Sequence, residues 1–499
     1  QAQSLRRRSF SGPLASQGGC CGSLLKRMTA AVRVEVHPDL GRVLVAARSF
    51  QPGEQVLLET PLLSPALAKP DAAGQWPGLL KEYDRLPPEL LEAMLVILAF
   101  AQAAPKTREE VRRGFYTPRK ASGKADAETE QRANLATRGL AMGGVKVSRE
   151  DAVTVLLAVR FNSFSYPTQG RDGGAAEDTT ALFSLGSKCE HCCRPVAVYK
   201  VDEPDGAARW MAVAPIADGQ RISIGYVDCT MPTALRHRHC WERFEFVCRC
   251  CRCAGDPAKK EAPAPDTARS VPCWSCAGGL LQPQHVDDAV EADSELRLVW
   301  HCSGGDSACP LAGGAGARPK EVRDRLGLDD LEESLVIQER LAGDGLIDPD
   351  EVAEQLARLQ CLGRRHWAVC ALERRRLTLC LRDPGPLPPD AGAAALAGFQ
   401  AALQDGGPGA VAQVAWEGVA LAAAVRLCRA GAFAEAEDLA GACAPVFGLV
   451  YPEGSSLRIL AARLAAACEA KDARLLDGKA AQEQQGDGPG PKKLHAFFD

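Results

Sequence analysis

Apolar and polar positions change rhythm several times along this chain, and the changes mark its organisation. From Arg42 to Arg48 and from Gln55 to Thr60, β-branched and aliphatic residues form short runs either side of Gln51-Pro52-Gly53-Glu54. That pattern predicts two strands joined by a tight turn. From Gly78 to Ala104 and from Glu128 to Val159, leucines, alanines and valines recur at helical spacing, with a polar, Lys/Arg-rich connector near Arg112 to Ala127. These read as a helical insertion. Strand-like runs return at Ala181 to Leu185, Val196 to Val201, Arg209 to Ile216 and Arg221 to Val227, the last two joined by Ala217-Asp218-Gly219-Gln220. Short strands with frequent turns point to a small β fold rather than a parallel βαβ sheet. After a Lys/Pro/Ala linker at Asp256 to Thr267, the pattern from Leu328 to Ala470 is again helical and Ala/Leu-rich.

Length and composition set bounds on this picture. At 499 residues, 46% apolar and 24% charged, the chain has room for roughly three domains of ordinary globular composition, which excludes disorder throughout. The formal net charge of −4 provides no global attraction to nucleic acid or anionic membranes, so any basic surface is local. The longest apolar run, Ala93 to Ala101, is about half of what a bilayer-crossing helix needs, and no membrane partner is expected. Up to Val34 there is no acidic residue, while Arg6, Arg7, Arg8, Lys26, Arg27 and Arg33 sit among serines and glycines. Residues 1–33 therefore read as an organelle-targeting or disordered leader. The Gln/Gly/Pro/Lys-rich tail reads as disordered. Its end, Leu494 with Phe497 and Phe498, is similar to the peptide that docks on the replication sliding clamp, or is a hydrophobic end that packs on its own domain. The basic run Arg236-His237-Arg238-His239, just before Trp241, reads as a solvated helix face. Facing outward, it could also meet an acidic substrate or a nucleic-acid backbone.

The 21 cysteines carry the clearest chemistry. Thirteen lie between Cys189 and Cys309, and none lies between Gly22 and Lys188. With ample core and no apolar signal stretch, this clustering reads as metal binding in a reducing compartment rather than a disulfide framework. Cys248, Cys250 and Cys253 form C-x-C-x2-C, three corners of a zinc tetrahedron whose fourth ligand must come from elsewhere; Cys251 is a spare that could replace a neighbour. Cys273 and Cys276, then Cys302 and Cys309, form two knuckles about a hairpin apart, with Gly278-Gly279 and Trp300 placed as in a zinc ribbon. His285 and His301 are alternative ligands.

The order of these pieces resembles SET-domain protein-lysine methyltransferases, in particular the SMYD-like branch. Gly41-Arg42-Val43-Leu44-Val45-Ala46 followed by Gln51-Pro52-Gly53-Glu54 is similar to the opening of that domain, and Arg160-Phe161-Asn162-Ser163-Phe164 to its N-S-F segment. Ser187 to Ala197, with Glu190-His191-Cys192-Cys193, aligns with S-x-x-N-H-S-C-x-P-N-A. Gly219 to Asp228 aligns with G-E-E-I-x-I-x-Y-x-D, and Arg243 to Cys253 resembles the post-SET segment. Gly431 to Ala436, between two amphipathic stretches, resembles the turn and second helix of a tetratricopeptide repeat, although no clean repeat period is found.

The resemblance implies a multidomain α+β protein: a small β-rich SET core with a helical insertion, a zinc-binding post-SET segment, and an all-α, tetratricopeptide-like C-terminal domain of helical hairpins. The expected boundaries are 34–64 for the N-terminal part of SET, 65–158 for the insertion and 159–255 for the SET core and post-SET. A linker with the second knuckle-like segment spans 256–318, the helical domain 319–475, and the tail 476–499. The resemblance also makes Cys193 the fourth ligand with Cys248, Cys250 and Cys253. It places Gly41, Arg42, Asn162, Glu190, His191 and Phe246 at an S-adenosylmethionine site and makes Tyr226 the catalytic tyrosine. The implied function is S-adenosylmethionine-dependent lysine N-methylation of a histone or non-histone protein, in the nucleus or cytoplasm, with further protein partners on the C-terminal helices. Four positions depart from the family pattern: Val43, Glu190, Cys192 and Val196. The MYND zinc module is expected to be missing, since Glu59 to Arg160 contains no cysteine. These departures motivate one rival, a catalytically silent scaffold built on the same fold. The basic run and the second cysteine set motivate another, a zinc-dependent nucleic-acid binder, which the net charge disfavours.

Overall fold

The computed structural model describes residues 31–38, 40–69, 86–119, 125–168, 177–202, 207–255, 265–276, 278–285, 298–304, 309–312, 316–326, 349–383 and 385–477. Residues 1–30 of the expected leader and the clamp-like Leu494, Phe497 and Phe498 lie outside these segments.

The chain enters through an antiparallel hairpin, β1 (Val32–His37) and β2 (Gly41–Ala46), whose turn uses Gly41 at φ +72°. Val43 to Ala46 are all buried. β3 (Gln55–Glu59) forms as expected after its turn, but it does not fold back on β2. The second edge of β2 is already taken, since Ala46 N–H donates to Gln220 O and Ile222 N–H to Leu44 O. β3 instead joins β7 (Ala197–Asp202) and β8 (Ala207–Ala212) in a sheet ordered β3-β8-β7.

The insertion consists of α1 (Pro88–Gln102), α2 (Pro105–Gly114), α3 (Ala127–Met142) and α4 (Arg149–Asn162), gathered around Met94, Ile97, Leu98, Leu140 and Leu157. Two features differ from the sequence reading. The connector near Arg112 begins inside α2, and the run from Glu128 breaks at Gly143-Gly144, where Gly144 has φ +82° and Ser148 caps α4 through Asp151 N–H.

β4 (Phe164–Thr168) and β5 (Glu177–Ala181) form a hairpin lying just before the strand expected at 181–185. That stretch bends instead, because the Glu59 carboxylate accepts the Leu185 and Gly186 N–H groups. β6 (Glu190–His191) and β9 (Ser223–Ile224) pair in parallel. The expected hairpin between the runs at 209–216 and 221–227 is therefore absent: β8 ends at Ala212, and Phe50 bridges Ile216 on the way.

Helix α5 (Thr233–Phe244) and the single turn α6 (Cys251–Ala254) lead to a small sheet of β10 (Val271–Pro272), β11 (Leu280–His285) and β12 (Leu298–Cys302). The helices that follow are α7 (Pro319–Leu326), α8 (Pro349–Arg358), α9 (Trp367–Arg382), α10 (Ala391–Gln413), α11 (Trp416–Arg429), α12 (Phe433–Val450) and α13 (Ser456–Ala470). From α9 onward each helix packs on the next, and the α11–α12 turn uses Gly431 at φ +82°. Their core, around Phe399, Trp416, Leu439 and Phe447, also takes in Val198 and Met211 of the β3-β8-β7 sheet. Among the described residues no single helix is long and apolar enough to cross a membrane.

Candidate active site and metal centres

The first cysteine set closes in space. Cys193, just past β6, meets Cys248, Cys250 and Cys253, and the four Sγ atoms lie within 4.8 Å of one another. Cys193 Sγ is 3.8 Å from that of Cys248 and 3.5 Å from that of Cys253. Cys251 is exposed and outside the set. Two buried guanidiniums adjoin these sulfurs. Arg236 donates to Cys253 Sγ at 3.6 Å, and Arg252 donates to the carbonyls of Cys193 and Cys229 at 3.3 and 2.5 Å. Arg236 Nε and Arg252 Nη2 have no hydrogen-bond partner among the described residues. Isolated buried cations are costly. Four thiolates around one divalent zinc carry a net double negative charge, which these two cations offset, so the donor set fits a metal ion.

The second set, Cys273, Cys276, Cys302 and Cys309, meets the same distance condition. Ser275 and Gly304 N–H groups point at Cys273 and Cys302 Sγ at 3.4 and 3.3 Å, which stabilises thiolates. A Cβ on Gly279 would lie 2.5 Å from Cys302 Sγ and 2.6 Å from Cys276 Sγ. The glycine leaves the room that four convergent sulfurs need. His301 is not a member of the set, and the side chain of His285 lies outside the described residues.

Tyr226 packs against both the first cysteine set and the β core. It sits in irregular chain after β9, where its N–H donates to His191 Nδ1 at 3.0 Å and its phenol donates to Cys189 O. Burial raises the phenol's pKa above its ordinary value, so it stays protonated and works as a donor. Around it stand His191, Phe244 and Phe246, with ring centroids 5.4, 5.1 and 6.3 Å away. Burial lowers His191 to about 4, leaving a neutral imidazole. Phe244 and Phe246 are delivered by the end of α5, where Glu245 takes a left-handed turn at φ +61° and returns its N–H to Cys240 and Trp241 carbonyls. The result is an aromatic wall with a fixed hydroxyl and a main-chain carbonyl. It is suited to holding and orienting a ligand rather than to abstracting a proton.

The remaining residues of the expected cofactor site fall into two groups. Glu190 lies on β6 beside His191, and its carboxylate is 3.4 Å from Arg221 Nε; burial raises its pKa while Arg221 opposes the shift. Arg42 and Asn162 bond to the backbone at and after the end of α2. The Arg42 guanidinium donates to Arg113 O and Phe115 O at 2.5 and 3.4 Å. The Asn162 amide accepts from Tyr116 N–H at 3.2 Å and donates to Tyr116 O at 2.8 Å. Both therefore fasten the segment after α2. Gly41 lies at the β1–β2 turn with open space where a side chain would be.

Several residues here carry no signal in the sequence reading. Lys188 sits 4.1 Å from the centroid of the Phe115 ring, and burial, followed by Arg42, lowers its pKa to about 8. Phe244 and Arg252 were equally invisible. Arg236 corrects the reading of the basic run as a solvated helix face. It is fully buried, with its guanidinium donating to Met231 O and to Thr233 Oγ1 at 2.9 Å. The run's outward character survives at Arg238, paired with Glu242 at 2.8 Å.

Comparison with known proteins gives short matches. A SET and MYND domain-containing protein of Dictyostelium discoideum is 27% identical over 107 residues, 21% of this chain and 20% of the relative. The protein-lysine N-trimethyltransferase SMYD5 of Homo sapiens is 35% identical over 80 residues, 15% of this chain and 19% of the relative. The chain thus matches about a fifth of the length of these relatives. No family model matches. Among solved structures, the SET domain of LSMT bound to lysine and AdoHcy aligns over 92% of this chain and 93% of its own, at 10% identity and a TM-score of 0.30. Motif order and sequence similarity agree that the relatives of this chain are SET-domain proteins, with SET and MYND domain proteins among them.

Proposed function

We propose that this protein is an S-adenosylmethionine-dependent protein-lysine N-methyltransferase whose two cysteine sets hold structural zinc. The observation that carries the reading is Tyr226, fixed through its phenol to Cys189 O beside a tetrathiolate and walled by His191, Phe244 and Phe246. Tyr226, Phe244 and Phe246 are only partly buried, and such ring surface fits an adenine- and sulfonium-bearing ligand. S-adenosylmethionine, when bound, supplies the electrophilic methyl group. The chain's own residues do the rest by alignment, since an in-line displacement needs the two reactants oriented and dry. Tyr226 and the Cys189 carbonyl set the polar contacts at the reacting centre. His191, neutral, keeps Tyr226 in place from its main-chain side. Phe244 and Phe246 exclude water, and the same low polarity favours the neutral amine of an incoming lysine over its ammonium form. The first zinc site holds the loop carrying Phe246, and the C-terminal helices, read as tetratricopeptide-like, offer surface for protein partners in nucleus or cytoplasm.

Calorimetric titration with S-adenosylmethionine and a methylation assay on a lysine-peptide array test this reading. Saturable binding and methyl transfer, lowered at least about tenfold by Tyr226→Phe, are expected. Absence of both binding and turnover overturns it. A catalytically silent scaffold is favoured by Glu190, a partly buried carboxylate where the family pattern has Asn, together with Val196. Activity gained in Glu190→Asn/Val196→Asn from a silent parent would establish that second reading.

A further inference from the structure

The chain around Tyr226 belongs to no ladder and no helix, so something else must hold it. On one side His191 takes the Tyr226 N–H. On the other, a residue far along the sequence takes the two flanking carbonyls. Gln413, the last residue of α10, donates from Nε2 to Gly225 O at 3.0 Å and to Val227 O at 2.7 Å, and its Oε1 accepts Cys229 N–H at 3.4 Å. Both amide protons are spent on the peptide groups either side of the tyrosine. The fit is close, since a Cβ on Gly225 would stand 2.4 Å from Gln413 Oε1. Gly225 is the residue that admits the clamp.

The clamp is itself held in place. Val414 O, one residue on, accepts Arg374 Nη1 at 3.1 Å, and Arg374 Nη2 lies 3.8 Å from Asp228 Oδ2 on the same loop. Ala412 O, one residue back, accepts Lys200 Nζ of β7 at 2.6 Å. The end of α10 is thus pinned to the β3-β8-β7 sheet and to α9 while Gln413 reaches into the tyrosine loop.

We propose that Gln413 is a positioning residue for Tyr226, so that the C-terminal helices complete the active centre rather than merely adjoining it. This rests on the methyltransferase reading. By fixing both carbonyls, Gln413 sets the direction of the phenol toward Cys189 O and the reacting groups. Alignment-limited chemistry is sensitive to such placement, because a displacement of about 1 Å costs on the order of 100-fold in rate.

The test is Gln413→Met, which keeps length and loses both donors, with Gln413→Glu, near-isosteric but able to donate at most one hydrogen bond, as the second variant should the first fail to fold. The full chain is used. Expected is a fall in kcat of about 10- to 100-fold with the KM values for S-adenosylmethionine and peptide within about twofold. In a Tyr226→Phe background the same change is expected to cost less than about threefold, since the residue acts through the phenol. An equal loss in both backgrounds, or an unchanged kcat in an active parent, overturns the inference. A parent without turnover defeats the methyltransferase reading instead, and Gln413 is then judged by 19F spectra of 3-fluorotyrosine-labelled protein. The Tyr226 resonance, assigned by its loss in Tyr226→Phe, should move in the Gln413 variants, and an unmoved resonance overturns the clamp.

Discussion

Lys200→Met is expected to cost about 3–5 kcal/mol at pH 7, although it only exchanges one cation, 17% exposed, for an apolar side chain of similar length. The reason lies with its partner. Glu417 is fully buried, its Oε1 accepts Lys200 Nζ at 2.8 Å and the Tyr451 hydroxyl at 2.9 Å, and Oε2 has no partner among the described residues. Without Lys200 the carboxylate keeps a single neutral donor in a core that includes Phe447 and Trp416. Breaking a buried ion pair by removing one partner leaves an uncompensated charge in the core, which sets the penalty at about 3–5 kcal/mol. Removing both charges in Lys200→Met/Glu417→Leu should bring stability back to within about 1–2 kcal/mol of the parent. Urea unfolding followed by tryptophan fluorescence gives both numbers. A Lys200→Met penalty below about 1 kcal/mol, or a double variant no more stable than Lys200→Met alone, would refute the account of Glu417 as a carboxylate that depends on its lysine.

The two cysteine sets predict two zinc ions per chain, with Cys193→Ser and Cys302→Ser each losing one and Cys251→Ser losing none, as read by elemental analysis of purified protein. Two ions retained by Cys193→Ser would contradict the first set. Gly279→Ala, whose new Cβ would stand 2.5 Å from Cys302 Sγ, should release zinc to a chelator at least about tenfold faster, checked with a colorimetric metal indicator. His366, which accepts the Ala368 N–H at 3.3 Å and has no partner for Nε2 among the described residues, is lowered by burial to about 3. Its folded pKa lies below its unfolded value of about 6.5, so the unfolded chain binds the proton first and stability falls as pH drops below that value, by about 2 kcal/mol between pH 6.5 and 5. His366→Gln should flatten this slope in denaturant titrations; an unchanged slope counts against it.

What the sequence made legible was chemistry concentrated in short segments. The C-x-C-x2-C run and the two knuckles name their sulfurs by spacing alone, and the motif order adds Cys193 to the first set. Pairing was harder to read. The runs at 209–216 and 221–227 look like a hairpin because both are apolar and a good turn joins them, yet β9 pairs with β6 and the edge of β2 is taken by Gln220 to Ile222. Periodicity says which residues are buried, and not which strand covers them. Arg236 was misread because a cation beside other cations looks solvent-facing, whereas its partners are Met231 O and the sulfur of Cys253. Gln413 left no trace at all. A glutamine ending a helix is ordinary, and its significance arises only when the fold brings it to Gly225 and Val227.

The helical region and the cysteine-rich segment are better regarded as one mechanical unit with the β core than as modules strung along a chain. α10 is broken near its end by Gly407, at φ +75° ahead of Pro408, and the redirected last turn is what reaches the site. A side chain on Gly409 would strike Pro195, two residues after Cys193, and one on Gly406 would crowd Cys229 O, the carbonyl that Arg252 also holds. Ala410 is packed in the same small core as Cys193, Cys248 and Cys253. A metal ion at that set would therefore stiffen both the loop carrying Phe246 and the seat on which the last turn of α10 rests. Gln413 and Lys200 extend the same contact to Tyr226 and to β7. Small residues at 406, 409 and 410 are needed because the backbones approach this closely. The close approach, in turn, lets one amide from the far end of the chain reach the tyrosine loop.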